Sequence, residues 1–276
     1  MERPKMTHAW FTGSGLPLKS RRRLQRRAWH VLAVAIAAWV AWGDESSWAS
    51  CAPGGVTVAV DIGHSPAASG ATSARGRPEY AFNLELATRV RDQLAASGLA
   101  AFLVRTASGE APDLFARTQI AAARGADLFL SIHHDSVQPR YLERGQLDGA
   151  AARFSRYARG YSLFISHKNP ATEASLAVAQ GIGRALADWG LEPSLHHAEP
   201  IPGENRPLLD AALGIYDFAD LIVLKTAAMP AVLFEAGVIV HPEEEVRLRD
   251  PFRQDTMAEA IARGILASCP PLPVGR

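Results

Sequence analysis

One stretch constrains the chain more than any other: Val56-Thr57-Val58-Ala59-Val60-Asp61-Ile62-Gly63-His64. Val56, Val58, Ala59, Val60 and Ile62 are apolar, and the Cβ-branched residues among them favour an extended backbone. Gly54-Gly55 precedes the run and Gly63-His64-Ser65-Pro66 follows it, so it reads as a short, fully buried strand. The strand ends on His64, in a loop rich in Gly, Ser and Ala. There His64 faces the crevice where α/β folds place their chemistry. On position alone, that histidine fits hydrogen-bonded structure more readily than a ligand role, so the rest of the chain has to decide.

With 276 residues, 48% of them apolar, the chain can build one good-sized domain, or at most two. Its net charge of +1 is unevenly spread: residues 1–49 hold eight Lys/Arg and three Asp/Glu, which leaves 21 basic and 25 acidic residues in the rest. A mildly acidic body speaks against a nucleic-acid partner and against a membrane-binding module. The basic stretch Lys19–Arg27 runs into an apolar segment, Ala28–Trp42, broken only by His30. That segment is short for a membrane span and suits a signal-peptide core, with Ser47 and Ala49 as the small residues of a cleavage site. Ser20-Arg21-Arg22-Arg23-Leu24 also resembles a twin-arginine export signal. We therefore expect an export signal over 1–49 and a catalytic body over 50–276. No stable membrane span remains after cleavage, and the body is periplasmic or otherwise exported to the cell envelope. An uncleaved N-terminal anchor is the competing reading and leaves the body outside the cytoplasm too. Cys51 and Cys269, at the two ends of that body, are a candidate disulfide in an oxidising compartment; a lipidated Cys51 is a weaker alternative.

Pro78-Glu79 opens a helix, with proline at the first position and an acid in the first turn. Apolar residues at 82, 86, 90 and 94 carry it to about Ser97. Ala100–Val104 reads as a strand, Asp113–Arg124 as a helix closed by Gly125, and Leu128–Ile132 as a strand ending on His133-His134-Asp135. Residues 136–159 are polar and give no clear pattern. Tyr161–Ser166 reads as a strand, Ala171–Trp189 as a helix, and 190–210, with four prolines, as an extended surface loop. Leu221–Leu224 and Ala231–Phe234 read as short strands, and Glu243–Arg249 and Phe252–Ala267 as helices. Alternating strands and helices without an internal repeat predict an α/β fold: a single-domain sandwich with a mixed, mostly parallel sheet of about six strands flanked by helices.

Four chemistry-bearing residues fall at strand ends or helix starts: His64, Glu79, His133 and Glu235. Charged groups seldom sit flush against buried strands without a partner. Two histidines and a carboxylate match a catalytic zinc site, and a second carboxylate can take a proton beside it. The spacings of 15, 54 and 102 residues between them are no short metal-binding signature.

The ordered set Asp61-Ile62-Gly63-His64, Pro78-Glu79-Tyr80-Ala81-Phe82-Asn83, Leu130-Ser131-Ile132-His133 and Pro230-Ala231-Val232-Leu233-Phe234-Glu235-Ala236-Gly237 resembles the amidase-3 family of zinc-dependent N-acetylmuramoyl-L-alanine amidases over about residues 56–267. The resemblance implies that His64, Glu79 and His133 bind Zn2+ and that Glu235 is the catalytic base. It implies hydrolysis of the amide between N-acetylmuramic acid and L-alanine in peptidoglycan, for wall remodelling or septum splitting. It also leaves room for a protein activator. Two other readings share these residues: a catalytically silent wall-binding domain of the same fold, and a zinc peptidase acting within stem peptides. The chain departs from the family at His134, where a small residue is usual; strand alternation turns that side chain to the opposite face, or it helps line the site. In the 190–210 loop, His196, His197, Glu199 and Glu204 are expected to be solvated, with one of the acids an occasional cap on the metal. Arg117 and Lys225 are expected in structural ion pairs.

Overall fold

The computed structural model describes residues 55–105 and 113–268. The expected export signal, its apolar segment, Cys51 and Cys269 lie outside the described residues. The described chain runs through β1 (Thr57–Ile62), α1 (Glu79–Ala96), β2 (Ala100–Leu103), α2 (Leu114–Ala123) and β3 (Leu128–Asp135). A hairpin follows, β4 (Glu143–Leu147) and β5 (Ala150–Phe154), then β6 (Ser162–Ile165), α3 (Thr172–Asp188), β7 (Leu208–Asp210) and β8 (Ile215–Asp217). The chain continues with the short α4 (Ile222–Lys225), β9 (Ala231–Val238), α5 (Pro242–Leu248) and α6 (Pro251–Ser268).

Seven strands form one sheet in the order β2-β1-β3-β9-β6-β8-β7. Pairs β1–β2, β1–β3, β3–β9 and β6–β8 are parallel; β6–β9 and β7–β8 are antiparallel. The expected mixed, mostly parallel sheet is present, one strand larger than expected.

Strand alternation divides the sheet into two faces. On one face Val58, Val60, Ile62, Leu130, Ile132, Val232 and Phe234 pack with Phe82, Leu86 and Val90 of α1, Ile182 of α3 and Ile261 of α6. On the other, Ala59, Phe129, Ala231 and Leu233 meet Ala121 of α2 and Val223 and Leu224 of α4. The same alternation sends Asp61, Ser131, His133 and Glu235 to this second face, where the strands end. Both sides of the central strands are covered, which is why β1 carries no polar stripe before Asp61.

Several expectations about elements change: the strand read at Ala231–Phe234 runs on to Val238, and the 190–210 loop holds a helical turn at His196–Ala198 and ends in β7. Leu221–Leu224 is not a strand: Leu221 lies at the start of the helical turn α4, and Lys225 N–H donates to the Leu221 carbonyl. A four-residue apolar run has no periodicity with which to distinguish strand from helix. Residues 136–159 hold the β4–β5 hairpin, which pairs only with itself and is mostly exposed, so no alternating apolar face marks it.

Candidate metal centre and active site

His64 follows β1 in the left-handed region, at φ 65°, a conformation that a non-glycine residue keeps only when its surroundings hold it. Arg117 of α2 does the holding. Its Nη1 donates to Asp61 Oδ1 at 3.0 Å and to the Ile62 carbonyl at 2.6 Å, and its Nη2 donates to the His64 carbonyl at 2.7 Å. Ser131 Oγ donates to the other Asp61 oxygen at 2.7 Å. The expected structural role of Arg117 is therefore met by a buried pair that fixes the turn carrying His64. Lys225 pairs with Asp220 at 3.3 Å, also as expected.

Glu79, the first residue of α1, is the hub. Its Oε2 lies 3.0 Å from His64 Nε2 and accepts the Ala71 N–H at 3.0 Å. Its Oε1 lies 3.1 Å from His133 Nδ1 and accepts Asn83 Nδ2 at 3.1 Å. One donor atom from each of His64, Glu79 and His133 lies within 4.8 Å of the others. Burial alone would raise the Glu79 carboxyl; hydrogen bonds and charge from His133 and His64 outweigh it and hold the group well below the usual carboxylate range. The backbone makes room for the cluster with glycines. A Cβ on Gly70, which sits at φ +77°, would strike Glu79 and His64, and one on Gly63 would strike the His133 ring. Two imidazole nitrogens and a carboxylate, converging with space kept clear around them, fit zinc.

Glu235 on β9 stands in register with His133 on β3. Its Oε2 is buried without a hydrogen-bond partner. Burial first, then the charges of Asp135 and Glu79, push its carboxyl well above the usual value. A raised proton affinity suits a group that takes a proton and returns it. Glu235, His64 and His133 line one cavity of about 840 Å³, with Phe164, Phe218 and Leu233 among its apolar walls.

His134 takes the opposite face. It is buried, its ring 5.3 Å from that of Phe82 and its Nδ1 2.8 Å from Asn83 Oδ1. Burial lowers its pKa to about 3, so it is a neutral link that orients Asn83, which in turn holds Glu79 and the Gly63 carbonyl. Asn83 stands four residues after Glu79, on the same helix face, a spacing that could have flagged this role. The 190–210 loop differs more. His196 and His197 are buried rather than solvated, and Glu199 and Glu204 bind Tyr141 and His197, not the His64–Glu79–His133 cluster.

The Amidase_3 family, described as N-acetylmuramoyl-L-alanine amidase, matches residues 58–267. The chain belongs to this family. It is a hydrolase of the N-acetylmuramoyl-L-alanine amidase class. The amidase AmiA of Salmonella typhimurium is 29% identical over 218 residues, 76% of this chain and 75% of AmiA. Among solved structures, the amidase AmiC2 of Nostoc punctiforme is 28% identical with a TM-score of 0.56, covering 78% of this chain and 98% of its own. The amidase Ami1 of Mycobacterium smegmatis shares the fold with a TM-score of 0.60 at 22% identity, covering 78% of this chain and 97% of its own. His64, Glu79, His133 and Glu235 and, but for one residue at each end, the sheet and helices that position them fall within the matched range.

Proposed function

We propose that His64, Glu79 and His133 hold one zinc ion and that Glu235 is the catalytic base, for hydrolysis of the amide joining N-acetylmuramic acid to L-alanine in peptidoglycan. The observation that carries this reading is the convergence of three donor atoms within 4.8 Å, beside a partnerless carboxylate oxygen in register with one of them. Bound zinc supplies a Lewis acid that polarises a carbonyl and lowers the pKa of water to about 7. Glu235 accepts the proton of the attacking water and delivers it to the departing L-alanine amine. Arg117 and Asn83 keep His64 and Glu79 in place, and the apolar cavity walls limit water around the reacting amide.

The family supports an envelope location; export into the periplasm rests on the expected signal over 1–49. Among the described residues no helix is long and apolar enough to cross a membrane. One solved relative at 21% identity, the CwlD amidase of Clostridioides difficile, is in complex with the GerS lipoprotein, a precedent for a protein partner here.

Mass spectrometry of purified peptidoglycan after digestion tests the reading, with and without a chelator. Free glycan strands with intact stem peptides, abolished by the chelator and restored by zinc, are expected. Fragments cut within the stem peptide would instead make the protein a peptidase. Wall binding without any fragment, in zinc and with candidate activators added, would make it a silent domain.

A further inference from the structure

A second cluster lies beside the first. Asp135 is two residues beyond His133 on the same face of β3. The helical turn at His196–Ala198 brings two histidines against it. Asp135 Oδ2 is 3.3 Å from His196 Nε2 and 2.9 Å from His197 Nε2, and one donor atom from each of the three residues lies within 4.8 Å of the others. Each imidazole is held by its far nitrogen. His196 Nδ1 lies 2.8 Å from Ser194 Oγ, and His197 Nδ1 lies 2.8 Å from Glu204 Oε2. Glu204 is itself held by Gln138 Nε2 at 2.7 Å. Anchoring the remote ring nitrogen on a carboxylate or hydroxyl is the outer-sphere arrangement of metal-binding histidines.

An imidazolium of His197 clasped between Asp135 and Glu204 would account for the His197 contacts alone. It leaves His196 unexplained. That side chain is more than nine-tenths buried, and its Nε2, 3.3 Å from Asp135 Oδ2 and beside the Ser136 backbone, makes no well-aligned hydrogen bond. Burying a polar nitrogen without a well-placed partner is costly. A cation between the two Nε2 atoms and the Asp135 carboxylate would satisfy every one of these atoms.

We propose that Asp135, His196 and His197 form a second divalent-cation site, independent of the His64–Glu79–His133 cluster. Two nitrogens and one oxygen select a borderline ion of the zinc type over magnesium or calcium, which take oxygen ligands. The site would tie the 190–207 loop to β3. His197 and Glu204 line the same cavity as His133 and Glu235, so the ion would act as a staple in the cavity wall. The proposal does not depend on the assignment of the first cluster.

The test is zinc content per chain of the full-length protein, stripped with chelator, reloaded with zinc and freed of excess, with folding followed by circular dichroism. We expect about two equivalents in the wild type and about one in each of His196→Ala and His64→Ala. If His196→Ala does not fold, Glu204→Gln keeps the shape and should weaken one of the two zinc sites about 10–100-fold while sparing the other. About one equivalent in the wild type, kept in His196→Ala and lost in His64→Ala, would overturn the second site and leave the first. The opposite pattern would leave the second and overturn the first. No bound zinc in the wild type, or two equivalents kept in His196→Ala, would also overturn the second site.

Discussion

Glu79 shows how much one side chain can organise. It takes three backbone or amide donors, from Ala71, Asn83 and His134, and faces two imidazoles, so its charge is retained although it is buried. Glu235, by contrast, has an oxygen with no partner, as expected of a group kept free for proton transfer. Glu235→Gln keeps the size and removes the base. Release of dye from labelled peptidoglycan should fall about 10²–10⁴-fold with bound zinc unchanged, and substantial remaining turnover would place the base elsewhere. Arg117→Ala strands the Asp61 carboxylate and frees the His64 turn. Urea unfolding should show a loss of about 3–5 kcal/mol, and a loss below about 1 would mean the buried pair does not hold the turn. His197 gives a pH signature in chelated protein. Burial pulls its imidazole down, but Asp135 and Glu204 more than offset this and raise it to about 9. An unfolded histidine titrates near 6.5. Protonated His197 therefore stabilises the fold fully below about pH 6.5, and that contribution is lost as pH rises through about 9. His197→Gln should flatten that part of the stability profile, measured by thermal unfolding; an unchanged slope would show that the carboxylates do not hold a proton there.

At the scale of elements, the sequence carried clear signals where termini have their own chemistry. Pro78-Glu79 marks the start of α1, and Asp113, whose side chain accepts the Ala116 N–H at 2.8 Å, marks the start of α2. Buried central strands were legible from their short apolar runs, β-branched in β1. Short or polar elements were not. Leu221–Leu224 is too short to show a period, β4 and β5 lack an apolar face, and β7 and β8 have three residues each. The burial of His196 and His197 was hidden because it depends on Asp135, some sixty residues earlier, and a proline-rich loop looks solvated in isolation. One contact between elements needs glycine. A Cβ on Gly264 of α6 would strike the Ile182 backbone of α3, so the two helices approach backbone to backbone. Gly264→Val should part them at a cost of about 1–3 kcal/mol by thermal unfolding, with zinc content unchanged; an undiminished midpoint would show the helices can shift freely.

For the molecule as a whole, a parallel-rich sheet gathers residues that the chain keeps far apart. The four site residues span positions 64 to 235, yet β1, β3 and β9 are neighbours, and His64, His133 and Glu235 converge where those strands end. The boundary positions of His64, just past β1, and Glu79, first in α1, were visible in the sequence; His133 and Glu235 were read at strand ends but lie inside the longer β3 and β9, and the ordered motifs tied all four to one family. The clamp of Arg117 and the relay from His134 through Asn83 were not visible, because they are made across elements. The most direct test of the account is an anomalous difference map at the zinc absorption edge, from crystals of the protein grown with zinc. The account predicts a peak enclosed by His64, Glu79 and His133 with Glu235 beside it; a map with no peak among those three residues would contradict it.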